Sequence, residues 1–462
     1  MKFIVLLFLL APALAQAAQT RAFVATTDFS AGALSTVELG PPRTAVIDRA
    51  AICSDATLRY AFGKLYVIER FGCDAIRVFD GATCAFETQY SVGNGANPND
   101  LVVISPTKAY VTRYDEPDLW IINPSTGAFL GSISLAPWAD RDGVPEMNRM
   151  TYHAGRVFVS CQRLDRDNFF SPTDSSLVVV IDAATDEIVD ADPAVPGVQG
   201  ILLPRTNPTT EFATTPEGNF LLGCTGFYGS TDGGVVRLDP RTFQTAVEVT
   251  EADLGGDVND VCVPPAPLGL TRAFCVISDA SFNTMLVSYE RTGLPQVATV
   301  YPGAGFVLAD AEADDRGEIW LCDRTASAPG IRVFDASTRA ELTASPIGTG
   351  LPPNDLCFDR TEPVGVPAAP GPTGLAIAGI APNPTTGPST IRFARAGEGT
   401  IEALVADAAG RIVRTWRGEA ASWTWDGRDA SGRTAPAGVY LVRARLEGSP
   451  EIATARVVRV RL

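Results

Sequence analysis

The stretch LPPNDLCFDR, residues 351–360, begins like a β-strand, with a Pro-rich turn followed by Asn354, Asp355 and an apolar pair. ANPNDLVV (96–103) and DVNDVCV (257–263) have the same pattern, and each is followed by further strand-like segments. After residue 359 comes RTEPVGVPAAPGPTG, which is too rich in Pro and Gly to form strands. The stretch therefore predicts a strand whose partners lie elsewhere in the chain.

A repeated turn identifies the missing unit. DGATC (80–84), NPSTG (123–127), DAATD (182–186), DPRTF (239–243), YERTG (289–293) and DASTR (335–339) each carry Thr at the fourth position. Two alternating apolar strands and a strand opening come before each turn, and one more strand follows it. The threonines are 43 to 59 residues apart, and four strands at such a period are typical of a β-propeller blade.

Six of these units are complete, and the N-terminus supplies the rest of the seventh. RAFVATT (21–27), ALSTVEL (33–39) and RTAVIDR (43–49) match the second, third and fourth strands of the unit that begins at residue 351. A blade built from both termini hides the sheet edges at which a ring closes. We therefore predict an all-β chain with a seven-bladed β-propeller over residues 21–362, closed by its N- and C-terminal strands.

This region resembles the YVTN or YncE-like propellers of bacterial surface proteins. The resemblance covers about 340 residues. It rests on P-N-D-L openings, second strands of the G-x-L-Y-V type and D-x-x-T turns. It implies a fold and a binding role, and it transfers no catalytic residue.

The N-terminus predicts export, and the net charge limits the classes of partner. MKFIVLLFLLAPALAQA, residues 1–17, has the basic, apolar and small-residue regions of a secretory signal peptide. The net charge is −16, with residues 21–365 near −21, which argues against nucleic acid and anionic membranes as partners. No membrane span is expected after signal removal. We expect a secreted protein or one at the outer cell surface.

A second domain follows a Pro/Gly/Ala linker at residues 363–374. Residues 375–462 alternate short strands with turns, which predicts a small Ig-like β-sandwich. This domain resembles FlgD-type Ig-like domains and the C-terminal sorting domains of type IX-secreted proteins. The matching residues are Asn383-Pro384, Asp407, Gly410-Arg411, Trp425-Asp426-Gly427-Arg428-Asp429, Gly432 and Ala437-Gly438-Val439-Tyr440. The resemblance implies export or cell-envelope machinery as a partner.

Acidic residues recur at the openings of the innermost strands. We expect five of them to converge near the propeller axis with one basic residue: Asp55, Asp100, Asp260, Asp310, Asp355 and Arg149. Such carboxylates either hold a hard cation such as Ca²⁺ or bond backbone groups between blades. The recurrence and the Arg favour the structural role, so no metal or cofactor is expected and Ca²⁺ is the alternative.

The loops at the same end carry aromatic residues. Phe169, Phe170, Phe227, Tyr228 and Phe282 either form a recognition surface or cover blade edges. The chain has one histidine, His153, which we expect in a solvated turn. No nucleophile elbow is present, and the shortage of His counts against His-dependent enzymes.

Nine cysteines are present, and export permits disulfides. Cys53 and Cys73 are equally distant from Gly63 in a predicted hairpin turn, so we predict that they pair. Cys262 and Cys275 are a second candidate pair, and Cys84 should be free.

These patterns favour a non-enzymatic recognition or display module with an unknown protein or glycan ligand. The alternative is an extracellular lactonase or lyase that uses the axial carboxylates and a divalent cation.

Overall fold

The computed structural model describes residues 19–359, except 174 and 266–269, and residues 375–460, except 382, 384, 396–398, 408–410, 420–421 and 448–452. The predicted signal peptide (1–17) and linker (363–374) lie outside the described residues. The chain separates into two compact units, Met1–Gly365 and Val366–Leu462. In the described part, no helix is both long and apolar enough to span a membrane.

The first unit is built almost entirely of antiparallel sheets, which we number in chain order. The first sheet contains β4 (Ala56–Ala61), β5 (Lys64–Glu69), β6 (Ala75–Asp80) and β7 (Phe86–Ser91). The second contains β8 (Pro98–Ser105), β9 (Lys108–Arg113), β10 (Asp118–Ile122) and β11 (Phe129–Ser134). The third contains β12 (Met147–His153), β13 (Arg156–Cys161), β16 (Leu177–Asp182), β17 (Glu187–Val189) and β18 (Ile201–Leu202).

The remaining sheets of this unit follow the same order. The fourth contains β19 (Ala213–Thr214), β20 (Phe220–Cys224), β21 (Gly234–Leu238) and β22 (Thr245–Thr250). The fifth contains β23 (Asp257–Cys262), β24 (Arg272–Ser278), β25 (Thr284–Glu290) and β26 (Val297–Pro302), and the sixth contains β27 (Leu308–Ala313), β28 (Glu318–Asp323) and β29 (Gly330–Asp335). Short elements lie between strands: β14 (Leu164–Asp165), β15 (Ser171–Pro172), two 3₁₀ turns (Ala136–Trp138, Arg166–Asn168) and the helix α1 (Glu251–Leu254).

The closing sheet joins the two ends of this unit. It contains β1 (Arg21–Thr27), β2 (Gly32–Glu38), β3 (Ala45–Ile52) and β30 (Pro353–Phe358), in the order β3-β2-β1-β30. Strand β30 pairs with β1 in antiparallel register, with Val24 opposite Leu356 and Ala25 opposite Asp355. The strand that opens at residue 353 therefore finds its partners more than three hundred residues away, as the sequence predicts.

The repeated turns form as their chemistry requires. In the first sheet, the Asp80 carboxylate accepts hydrogen bonds from the backbone N–H and the hydroxyl of Thr83, at 2.9 and 2.8 Å. Asp335 and Thr338 repeat this arrangement in the sixth sheet. The Asp–Thr spacing thus fixes the chain reversal after the third strand by satisfying backbone donors locally.

The apolar cores of this unit lie between consecutive sheets. Each pair of neighbouring sheets shares one buried cluster, and the closing sheet packs against both the sixth and the first. The innermost strands contact one another in turn, including β27 with β30 and β30 with β4. Sheet-on-sheet burial of this kind supplies the main favourable term for folding.

Three sequence-based expectations need correction. Strand β19, the innermost strand of the fourth sheet, is only two residues long, and an isolated bridge between Pro208 and Cys224 continues its pairing. In the described residues, the sixth sheet has no regular fourth strand, and single bridges such as Ile331 to Ile347 stand in its place. His153 is not solvated: it is buried, its ring edge lies against Phe220 at 5.4 Å, and burial lowers its pKa.

The cysteines follow the prediction in part. Cys53 and Cys73 form a disulfide with a Cα–Cα distance of 6.7 Å, and Cys84 is free. Cys262 and Cys275 are both free, so this second pairing is wrong. Cys275 lies opposite Val261, and Cys262 lies opposite Phe274. The one-residue offset directs the two thiols to opposite faces of the sheet.

The second unit consists of two antiparallel sheets. One contains β31 (Leu375–Ala381), β32 (Ser389–Arg395) and β35 (Ser422–Trp425), and the other β33 (Ile401–Asp407), β34 (Ile412–Gly418), β36 (Gly438–Leu446) and β37 (Ala453–Arg459). Its apolar cluster includes Trp425, which is 1% exposed and lies 5.2 Å from the Tyr440 ring. Both residues belong to the FlgD-like motif, so the motif supplies core side chains of this unit.

Candidate functional site

Four of the predicted axial aspartates share one structural role. Each sits on an innermost strand and accepts a hydrogen bond from a backbone N–H of the next sheet. The pairs are Asp100 with Met150 (2.7 Å), Asp260 with Ala311 (2.8 Å), Asp310 with Leu356 (2.8 Å) and Asp355 with Leu58 (2.8 Å). These carboxylates therefore tie neighbouring sheets together around the axis, and two of the bonds join the closing sheet to its neighbours.

Two charged residues that the sequence analysis missed complete the cluster. Arg59, on β4, bonds Asp100 at 2.7 Å and Glu211 at 2.5 Å. Arg149, which the sequence placed here, lies 3.6 Å from Glu211 and donates to the Asn99 carbonyl at 3.2 Å. Glu211 was hard to find because it follows a Pro-rich loop with no strand pattern. Arg59 was not predicted because the sequence pattern assigns Asp55 as the axial residue of the first sheet.

Asp55 does not belong to this cluster. It lies at the end of the loop before β4 and pairs with Arg70 at 3.4 Å. The position equivalent to Asp100 in the first sheet is Thr57, because the next residue, Leu58, donates its backbone N–H to the Asp355 carboxylate of the closing sheet. The predicted axial position of the first sheet, Asp55, is therefore wrong by two residues. The error arises because the turn before the innermost strand varies in length, so the sequence pattern does not fix the strand register.

Burial controls the protonation of the axial acids. It raises the pKa of Asp260 to about 6 and that of Asp355 to about 7. Burial also raises the pKa of Asp310, and the neighbouring charges of Asp260 and Asp355 raise it further. At Asp100 burial again raises the pKa, while Arg59 and Arg149 oppose the rise. The axial acids thus form two groups. Asp100 is ion-paired, whereas the surroundings of Asp260, Asp310 and Asp355 favour the protonated, neutral form of the carboxyl group.

The donor set does not fit a metal centre. Within the described residues, no group of three or more His, Cys, Asp or Glu side chains could hold a metal ion. The carboxylate oxygens instead accept hydrogen bonds from backbone N–H groups and pair with a guanidinium group. Among the described residues, the buried atoms near the axis without a hydrogen-bond partner include Arg149 Nε and Asn99 Oδ1.

The predicted aromatic residues lie on loops at one end of the sheets. Phe169, Phe170 and Phe227 are 95%, 48% and 53% exposed, and Tyr228 and Phe282 stack at 5.9 Å between the fourth and fifth sheets. The alternative in which these residues cover blade edges does not fit Phe169, because its side chain is almost fully exposed. Three more exposed aromatic residues lie on loops at this end and are not among the predicted ones: Phe29, Phe71 and Phe306.

Ion pairs fix the loop that carries Phe169 and Phe170. Arg166 bonds Glu146 at 2.6 Å and Asp115 of the second sheet at 2.8 Å. Burial raises the pKa of Glu146 to about 7, and Arg166 opposes that rise. Asp165 pairs with Arg141 at 2.8 Å. Asp165 is thus already ion-paired within the protein.

Comparison with known proteins gives a fold likeness. No family model matches the chain, and no curated protein matches it either. A putative 6-phosphogluconolactonase from Bacteroides uniformis is similar over 74% of this chain and 99% of its own, with a TM-score of 0.53 and 12% identity. A protein from Lactobacillus plantarum gives 0.52 over 74% and 99%, also at 12% identity.

PorZ, a surface component of the type IX secretion system of Porphyromonas gingivalis, is similar over 93% of this chain at 14% identity, with a TM-score of 0.45. The chain spans 63% of the length of PorZ. At these identities the likenesses concern the fold. The two likenesses with TM-scores above 0.5, together with the succession of antiparallel sheets, support a β-propeller over residues 21–358.

Proposed function

We propose that this chain is an exported, seven-bladed β-propeller that acts as a non-enzymatic recognition or display module at the cell surface. The observation that carries the proposal is the hydrogen bonding of the axial acids. Asp100, Asp260, Asp310 and Asp355 each bond the backbone of the next sheet. In each of these carboxylates one oxygen accepts a hydrogen bond from the backbone of the next sheet, and this shared contact favours a structural role over that of a general base or metal ligand.

The packing of the sheets supports the proposed count of seven blades. Seven apolar clusters lie between consecutive sheets of the first unit, within the described residues, and the last of them joins the closing sheet to the first. A ring of seven blades has seven interfaces. The closing blade would combine β1, β2 and β3 with β30.

The second unit is proposed to be an Ig-like domain of the FlgD type that engages export or cell-envelope machinery. Its two sheets and its buried Trp425 support the Ig-like assignment. Asn383 donates to the Arg456 carbonyl and accepts from the Val458 N–H, at 3.0 and 2.8 Å, and so ties the start of the unit to its last strand. The predicted signal peptide supports the export route.

A paired assay tests the proposal. Mature protein would be applied to glycan and peptide arrays, and the same preparation would be assayed for lactone hydrolysis with EDTA and with divalent cations. We expect saturable binding on an array and no turnover above a buffer control. Metal-dependent turnover that is lost in Asp100→Ala, with no array binding, would overturn the proposal in favour of the enzyme.

A further inference from the structure

The exposed aromatic residues of the propeller are concentrated at one end, which we call the aromatic face. Its loops join second strands to third strands, or one sheet to the next. Because the innermost strands lie side by side and every sheet repeats the same strand order, these loops emerge at the same end. The side chains are Phe29, Phe71, Phe169, Phe170, Phe227, Tyr228, Phe282 and Phe306.

Contacts between loops of different sheets confirm that they share this end. Arg324 of the sixth sheet lies over the Phe29 ring of the closing sheet at 4.4 Å. Tyr228 stacks on Phe282 of the following sheet. Among the described residues of this unit, the other exposed aromatic side chains are Phe86 and Phe129, which start the outer strands β7 and β11. The asymmetry between the two ends marks the aromatic face as an interaction surface.

The loops hold these rings in fixed, outward positions. Phe29, Phe169, Phe170 and Phe282 have φ values of 68, 55, 54 and 59°, in a region that bulky residues rarely adopt and that costs free energy. The Cys53–Cys73 disulfide closes the segment that carries Phe71, which is 75% exposed. A surface with rings fixed before binding loses less entropy when a partner docks.

The charge of the aromatic face indicates the partner. Its described loops expose four acidic side chains that belong to four different loops: Asp28, Asp167, Asp232 and Asp253. Among the described residues of these loops, Arg141 is the exposed basic residue, with 65% of its side chain exposed, and it is already paired with Asp165. The same loops contain no lysine. A partner of positive charge would meet complementary potential here.

The rings already bind guanidinium groups of this chain. Arg324 lies over Phe29 at 4.4 Å, and Arg166 lies over Phe170 at 5.5 Å. A planar guanidinium stacks on an aromatic face and can pair with a carboxylate at the same time. Exposed rings such as Phe169 and Phe227, with Asp167 and Asp232 nearby in sequence, offer the same combination to a second molecule.

We propose that the aromatic face binds an arginine-rich polypeptide segment of a partner protein. This inference rests on the proposed function and specifies its ligand. The rings would stack on arginine side chains, and the exposed aspartates would pair with the guanidinium groups. Phe29, Phe71 and Phe306 join the five predicted aromatic residues in this surface.

Fluorescence anisotropy with the full mature chain tests the proposal. The probe is a labelled peptide of alternating Gly and Arg, at about 150 mM salt so that long-range attraction is screened. Gly-Lys and Gly-Glu peptides of the same length are the comparison probes. We expect saturable binding of the Gly-Arg peptide, weaker binding of the Gly-Lys peptide, and none of the Gly-Glu peptide.

Matched variants separate the surface from general attraction to an acidic protein. Phe169→Ala with Phe282→Ala should weaken Gly-Arg binding roughly three- to tenfold per ring. Phe86→Ala with Phe129→Ala, which removes similarly exposed rings from outer strands, should leave it unchanged. Asp232→Asn, whose amide oxygen can still accept from the Phe227 N–H, should weaken binding, and Glu187→Gln should not. Melting temperatures would verify that each variant is folded.

Three outcomes would overturn the inference. Equal loss in the ring variants and the outer-strand controls would show that attraction is not specific to this face. Absence of Gly-Arg binding would do the same. Glycan binding on an array that depends on Phe169 and Phe282 would overturn the basic-peptide ligand and leave the recognition function standing. Metal-dependent turnover without any binding would instead refute the proposed function itself.

Discussion

The carboxylate of Asp100 accepts the backbone N–H of Met150 at 2.7 Å and bonds the Arg59 guanidinium at 2.7 Å on its other oxygen. One buried side chain therefore connects the first, second and third sheets. The same backbone bond recurs at Asp260, Asp310 and Asp355. A residue with these partners is positioned to hold sheets together, and the predictions below test that role.

Removal of the Asp100 carboxylate should destabilise the propeller strongly. Asp100→Ala leaves the Met150 N–H unsatisfied and removes a buried partner of Arg59. Breaking such a buried pair costs about 3–5 kcal/mol of unfolding free energy. Asp167→Ala, an exposed aspartate, should change it by less than about 0.5 kcal/mol. Urea denaturation measures both, and similar small changes in the two variants would contradict the structural role.

Stability should fall as pH rises toward neutrality. The folded-state pKa values of Asp260 and Asp355, about 6 and about 7, lie above the unfolded value of about 4. The folded state therefore holds more protons between these values, and the free energy of unfolding decreases as pH increases through them. Glu146 and Glu251, whose pKa burial raises to about 7, act in the same direction.

Asp355→Asn isolates one contribution to this pH dependence. The variant keeps an oxygen that can accept the Leu58 N–H but cannot titrate. Unfolding free energies measured between about pH 5 and pH 8 should decline less steeply in the variant, by up to about 1.4 kcal/mol per pH unit for this one group. An unchanged slope would show that Asp355 is ionised across this range in the folded protein.

Much of the fold is readable from the sequence because its signals are local. The Asp80–Thr83 turn and the apolar alternation of β5 and β6 depend on neighbours in the chain. The closure by β30 was also predictable, since a lone strand opening must pair somewhere. The site was harder to predict from the sequence. Arg59 and Glu211 belong to different sheets and come together only in the folded propeller, and no shared sequence pattern marks their positions.

Loss of strand β30 should cost far more than its length suggests. Deleting residues 351–360 removes the partner of β1 and the bonds at Leu356 and Asp355. We expect aggregation or a large drop in melting temperature, because an innermost sheet edge becomes exposed. Deleting residues 366–462, a separate compact unit, should shift the propeller melting temperature little. Equal shifts by scanning fluorimetry would argue against closure by both termini.

The disulfide should stabilise the first sheet. Cys53 and Cys73 are separated by 20 residues, and closing a loop of this size is worth about 2–4 kcal/mol. Dithiothreitol should lower the melting temperature of the wild type but not that of Cys53→Ser with Cys73→Ser. Peptide mapping under non-reducing conditions should join the two cysteines, and recovery of Cys53 as a free thiol would refute the pair.

The most direct test of the account is the calcium dependence of thermal unfolding. The central claim is that the axial acids are structural, so mature protein should melt at nearly the same temperature in EDTA and in millimolar Ca²⁺. The test is sensitive, because calcium at about 100 times its dissociation constant would add about 2.7 kcal/mol. A large calcium-dependent rise that disappears in Asp100→Ala would contradict the claim and favour a metal-dependent enzyme.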